Sequence, residues 1–95
     1  FMRNGSGSTL LIEAAKASDI DSLHILISFG GTKLINQPDY ESNTALHYTT
    51  ANDDGITSSF LRANGADESL RNMYGLTPAE GLTLNRGGFG EKLNF

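Results

Sequence analysis

The sequence contains no cysteine. That excludes disulfide bonds, a cysteine-based zinc site and a thiol nucleophile. A small domain without disulfides fits a reducing compartment. Basic residues are also few, with 7 Lys and Arg against 11 Asp and Glu, for a formal charge of −4. Sequence-independent nucleic-acid binding is carried by clustered Lys and Arg, so this balance argues against a nucleic-acid partner. No run of like charge is long enough to act as a charged tail. Long apolar runs are missing too. The stretches Thr9–Ile12 and Leu23–Phe29 fall far short of the ~18 residues that span a bilayer. No secretory signal pattern is visible. These absences predict an intracellular protein, cytoplasmic or nuclear, with no membrane association. The 95 residues suffice for one small domain in which surface dominates core.

The chain opens Phe1-Met2-Arg3-Asn4-Gly5-Ser6-Gly7-Ser8. Gly-Ser alternation reads as a flexible linker or an added tail, so residues 1–7 are expected to lie outside the fold. The chain itself is expected to be a fragment of a longer one.

Three segments share a pattern: Ser8-Thr9-Leu10-Leu11-Ile12-Glu13-Ala14-Ala15, Asn43-Thr44-Ala45-Leu46-His47-Tyr48-Thr49-Thr50 and Leu76-Thr77-Pro78-Ala79-Glu80. Their threonines, Thr9, Thr44 and Thr77, are 35 and 33 positions apart. Thr is a good helix N-cap because its hydroxyl accepts from an orphan backbone N–H one turn in. Pro78 suits the first helical position, and Glu80 completes a capping-box pattern with Thr77. Short helices are therefore predicted at about 9–17, 44–52 and 77–84. A second helix in the first unit is capped by Ser18, with Asp19 and Asp21 complementing its dipole. Ile20, Leu23, Leu26 and Ile27 give it one apolar stripe, and Gly30-Gly31 ends it. In the second unit Ile56, Phe60 and Leu61 form the stripe, interrupted by Thr57, Ser58 and Ser59, and Asn64-Gly65 ends it. Turn-forming residues fill 36–43 and 72–76.

These residues together resemble the ankyrin-repeat family, whose unit has a period of about 33 residues and carries Thr-Pro-Leu-His-x-Ala. The resemblance rests on Asn43-Thr44-Ala45-Leu46-His47-Tyr48, on Phe60-Leu61-Arg62-Ala63-Asn64-Gly65-Ala66-Asp67 and on Asn72-Met73-Tyr74-Gly75-Leu76-Thr77-Pro78-Ala79. It covers about residues 8–84 as repeats at 8–36, 39–72 and a partial 73–84, with 85–95 as a truncated or capping segment. It implies an all-α solenoid of antiparallel helix pairs joined by hairpin turns. Departures are Ile12 and Glu80 at the family's histidine position, two extra residues between Gly30 and Asn36, and glycines 81, 87, 88 and 90 in the third unit. About three units are normally needed for a stable stack, so stability is expected near or below the low end of the ~5–15 kcal/mol range.

The resemblance also implies function. Family members bind proteins through the turn tips and the exposed side of the first helix of each pair. Carried onto this chain, those positions are Tyr40, Glu41 and Asn43 in one turn, Met73, Tyr74 and Leu76 in the next, and Lys16, Ala51 and Asn52 on the first helices. Tyr supplies large amphipathic contact area. The expected partner is a protein or peptide, bound by a monomeric module that is not an enzyme and needs no cofactor. The alternative is a spacer or scaffold inside a larger protein, without its own ligand. The resemblance implies that His47 hydrogen-bonds Thr44 rather than taking part in chemistry, and His24 reads as a solvated residue. Two lone histidines make no metal site. Asp19, Asp21, Asp53 and Asp54 read as helix-start residues rather than an acid–base pair. Arg86-Gly87-Gly88-Phe89-Gly90 reads as a flexible connection.

Overall fold

The computed structural model describes Gly5, residues 7–30 and residues 32–83. Expectations for the 85–95 segment, including the Arg86–Gly90 element and a last helix at 91–95, lie outside the described residues. The elements run α1 (Leu10–Lys16), α2 (Ile20–Gly30), α3 (Thr32–Ile35), α4 (Ala45–Ala51) and α5 (Gly55–Ala63). The architecture is all-α. α1 pairs with α2 and α4 with α5, and the two pairs stack through α1 against α4. No helix among the described residues is long and apolar enough to cross a membrane.

Local chemistry starts and stops each element. Thr9 caps α1, its Oγ1 accepting from the Ile12 N–H at 3.1 Å. The cap of α2 is Asp19 rather than Ser18: the Asp19 carboxylate accepts from the Ser22 N–H at 3.2 Å and the Ser22 hydroxyl at 2.7 Å. Ser18 instead adopts φ 57°, a left-handed conformation that turns the chain between the helices, and its hydroxyl donates to Asp54 of the next pair. Asp54 repeats the plan at α5, accepting from the Thr57 N–H at 3.1 Å. The two extra residues after Gly30 are absorbed by α3, which puts Leu34 and Ile35 into the core. Gly30 permits this approach, since a Cβ there would lie 2.2 Å from a Leu34 methyl carbon.

The core gathers Leu11, Ile12, Ala15, Leu23, Leu34, Ile35, Ala45, Leu46 and Leu61. One expected stripe is corrected. Ile56 is 80% exposed, whereas Thr57 and Ser58 are buried with Leu61. The Asp54 cap and the Leu61 anchor set the rotation of α5, and a single isoleucine on the other side cannot override them. The buried hydroxyls are satisfied in a chain: Ser58 donates to Thr49 Oγ1 at 2.8 Å, and Thr49 donates to the Leu46 carbonyl at 3.3 Å. Removing one hydroxyl strands its partner, but removing both does not. Ser58→Ala is therefore expected to cost about 1 kcal/mol. In the background of Thr49→Val the same change becomes neutral or stabilising, as read from a double-mutant cycle of urea midpoints.

The helix expected at 77–84 is also corrected. Residues 78–80 form a single turn, closed by Glu80 and Gly81 N–H groups donating to the Thr77 carbonyl at 2.9 and 3.2 Å. The capping carboxylate is in place, with Glu80 Oε1 accepting from the Thr77 N–H at 2.8 Å. The helix stops because Gly81 takes φ 120°, which leaves the helical region, and no second helix among the described residues covers it.

Four carboxyls are held below their ordinary values: Asp19 by Ser22, Asp54 by Ser18 and Thr57, Asp67 by Ser69, and Glu80 by the Thr77 N–H. Each folded-state pKa lies below the unfolded one. The stability they confer is thus complete above the unfolded carboxyl range and is lost as pH falls through the folded values. The urea midpoint should stay level from about pH 7 to 5 and then fall below about pH 4. Asp54→Asn should shallow that fall, which acid titrations of the two proteins would show.

Candidate protein-binding surface

Two hairpins are built on one plan. In the first, Asp39 Oδ1 accepts from the Glu41 and Asn43 N–H groups, both at 2.9 Å. In the second, Asn72 Oδ1 accepts from the Tyr74 and Leu76 N–H groups at 2.9 and 3.1 Å. The backbones match as well: Asp39 N–H donates to the Asn43 carbonyl and Asn72 N–H to the Leu76 carbonyl, each at 2.9 Å. Short Asp and Asn side chains can hold their own turn in this way. Each turn also needs one left-handed residue, Ser42 (φ 65°) and Gly75 (φ 78°). Gly7 has the same φ of 78° and lies 35 positions before Ser42, as Thr9 lies before Thr44. Gly7 and Ser8 are buried, and the Tyr40 ring lies so close to Gly7 that a Cβ there would stand 2.3 Å from it.

The hairpins are tied side by side. Met73 N–H donates to the Glu41 carbonyl at 2.8 Å. Asn72 Nδ2 donates to Asn43 Oδ1 at 2.9 Å and to the Leu82 carbonyl at 2.8 Å. His47 makes the third link. Its Nδ1 accepts from the Thr44 N–H at 3.1 Å, with the Thr44 hydroxyl 3.0 Å away, so the ring proton sits on Nε2, which donates to the Leu76 carbonyl at 2.8 Å. The Thr44 bond is the one the resemblance implies. The link to Leu76 is additional, and with both nitrogens engaged and no exposure His47 acts as a strut between units. His24 is exposed.

This construction decides which expected contact residues face outward. Tyr40 is 70% exposed, Met73 59% and Tyr74 38%, and Glu41 is exposed as well. The Met73–Glu41 bond places them on one continuous edge. Leu76 is half-buried. Asn43 is corrected: it is 2% exposed, because its side chain is the acceptor that joins the hairpins. On the first helices, Lys16, Ala51 and Asn52 are exposed. Lys16 already has partners, lying 3.3 Å from a Glu13 carboxylate oxygen and 4.6 Å from the Tyr48 ring centroid, a cation–π distance. Tyr48 donates its hydroxyl to Asp39, and burial with the Asp39 carboxylate pushes its phenol well above the ordinary value.

No family model and no curated protein matches this chain. Solved structures do. A structure of the Legionella effector AnkH aligns at 31% identity and a TM-score of 0.74, covering 81% of this chain and 16% of that one. The chain belongs to the ankyrin-repeat family. A chain from the structure of the Bd0816 predatory endopeptidase of Bdellovibrio bacteriovorus in complex with immunity protein Bd3460 aligns at 27% identity and a TM-score of 0.71. There the match covers 79% of this chain and 38% of the other. This ankyrin-repeat chain thus spans well under half the length of both structures it matches. Ankyrin-repeat neighbours point to a protein-interaction module in general terms.

Some residues that build this ankyrin surface were not among the expected contacts. Asp39 and Asn72 hold the tips in shape from beneath. Their equivalence was readable as Asp39-x-x-Ser42-x-Thr44 against Asn72-x-x-Gly75-x-Thr77, and the same spacing ends at Asn4-x-x-Gly7-x-Thr9. Gly-Ser composition masked that third copy.

Proposed function

We propose that this chain recognises a protein or peptide through the edge formed by its two hairpin tips, extended by the exposed side of α1 and α4. The observation that carries the reading is the Met73 N–H to Glu41 carbonyl bond of 2.8 Å, which makes one edge of two turns and leaves Tyr40, Met73 and Tyr74 exposed along it. Aromatic and Met side chains are enriched at protein interfaces, where they contribute most of the contact energy. The turns beneath are fixed by Asp39 and Asn72, so little ordering cost accompanies binding. Glu41 adds one negative charge beside the apolar strip, which favours a partner segment with apolar side chains flanked by a basic one. Ala51 and Asn52 would supply further contacts, and Lys16 fewer, since Glu13 and Tyr48 already occupy it. One relative's structure is described as a complex with an immunity protein, which accords with protein partners. The proposed role is recognition without catalysis.

The test compares wild type with Met73→Ala/Tyr74→Ala and with a control, Ile56→Ala, on the outer face of α5. All three must first show the same circular dichroism and urea midpoint. Binding lost by the tip variant and kept by the control supports the assignment. Equal binding by all three, or loss only in the control, moves the site elsewhere.

A further inference from the structure

The face of the first repeat turned away from the second carries an apolar groove of about 420 Å³ between α1 and α2, lined by Leu10, Glu13, Ala14, Asp19, Ser22 and Leu26 among others. Its residues have counterparts one unit on, at a constant offset of 35 positions. Leu10 corresponds to Ala45, Ala14 to Thr49, Ser22 to Thr57 and Leu26 to Leu61. All four counterparts are buried to 1% exposure or less, because the first helix pair lies against them. In the first unit the same positions are open, with Leu10 60% exposed. The groove is therefore the continuation of an interface the molecule already makes.

We propose that this groove seats a further helix-pair repeat carried ahead of residue 5 on the same polypeptide, stacked as the first pair stacks on the second. Its docking side would present small and branched apolar residues of the kind that Ile12, Ala15 and Leu23 supply in the core that the first pair shares with α4 and α5. Asp19 adds a polar requirement. Its counterpart Asp54 accepts from the Ser18 hydroxyl of the unit before it, so a hydroxyl at the end of the incoming unit's first helix would meet Asp19 in the same way. A second copy packed face to face is disfavoured, because two-fold pairing would bring the Glu13 and Asp19 carboxylates of both copies together. The lengths of the matched structures, of which this chain spans 38% and 16%, are consistent with a longer stack.

The experiment adds a copy of residues 4–38 directly ahead of Asn4, which keeps the repeat phase, and measures urea midpoints of the original and extended chains with and without Leu10→Asp. Sedimentation velocity is recorded for all four. The expected result is a higher midpoint in the extended chain. Leu10→Asp, made in the original unit, should scarcely move the 95-residue chain and should lower the extended chain's midpoint most or all of the way back. No rise on extension would overturn the proposal, as would an equal Leu10→Asp shift in both chains. So would a 95-residue chain that dimerises through this face and becomes monomeric with Leu10→Asp, since the occupant would then be a second copy.

Discussion

His47→Ala is expected to leave the chain largely unfolded at 25 °C. The imidazole is fully buried, and its two nitrogens satisfy the Thr44 N–H and the Leu76 carbonyl, which belong to neighbouring units. Truncation strands both groups at about 1–3 kcal/mol each and leaves a ring-sized cavity besides. The sum is comparable with the whole stability of a small domain, about 5 kcal/mol at the low end. Short repeat stacks depend on each interface between neighbours, so losing this one should detach the second hairpin and then melt α4. Circular dichroism and urea titration would read the loss, with an excluded osmolyte such as TMAO added to bring the variant back into a measurable range. His47→Gln retains one acceptor and one donor on a flexible chain and should fall between the two. A loss under about 1 kcal/mol for His47→Ala would show that the strut carries little load.

Asn72 gives the second large effect, and the choice of substitution separates its two jobs. Its oxygen shapes its own turn, accepting from Tyr74 and Leu76 N–H groups. Its amide nitrogen joins that turn to Asn43 and Leu82. Asn72→Asp keeps the first job, since Asp39 performs it in the preceding hairpin. It ends the second, setting a buried carboxylate against two oxygens that had been accepting from the amide. The expected cost is about 3 kcal/mol or more near neutral pH, shrinking as the pH is lowered and the new carboxyl protonates. Asn72→Ala loses both jobs, and its cost should be insensitive to pH over the same range. Urea midpoints at about pH 7 and 5 distinguish the two. If Asn72→Asp matches wild type at neutral pH, the link between the hairpins is not stabilising. Because Tyr40 and Tyr74 sit on those hairpins, both substitutions should also weaken partner binding beyond what unfolding alone explains.

Much of this was legible from residue order. The threonine spacing, the caps and the glycine stops are local chemistry acting over three or four residues, and they located α1, α2, α4 and α5 to within a residue or two at most ends. The failures share another cause. Which side of α5 faces inward is set by what lies across from it, so Thr57 and Ser58 are buried in spite of their hydroxyls and Ile56 is left outside. The last turn had a cap and a proline in the right places, but a helix this short needs a packed neighbour to persist, and Gly81 leaves the helical region. Asn43 looked like any turn residue. Only the placement of Asn72 beside it makes its side chain an internal acceptor. Gly7 was hidden because a linker and a left-handed turn call for the same residues.

The sequence by itself determined the period, the helix starts and the pairing of short helices, because capping and apolar spacing act within a single unit. It also determined the family, because the full pattern recurs at a constant offset. The tertiary structure alone decided what happens between units. It joined the two tips by the Met73–Glu41 bond, turned His47 into a strut reaching Leu76, and buried Asn43 while exposing Tyr40, Met73 and Tyr74. It also showed that Leu10, Ala14 and Leu26 lie open where their counterparts are covered. Those outcomes depend on backbone groups about thirty positions apart in the chain meeting at hydrogen-bond distance, and no local spacing rule encodes that meeting.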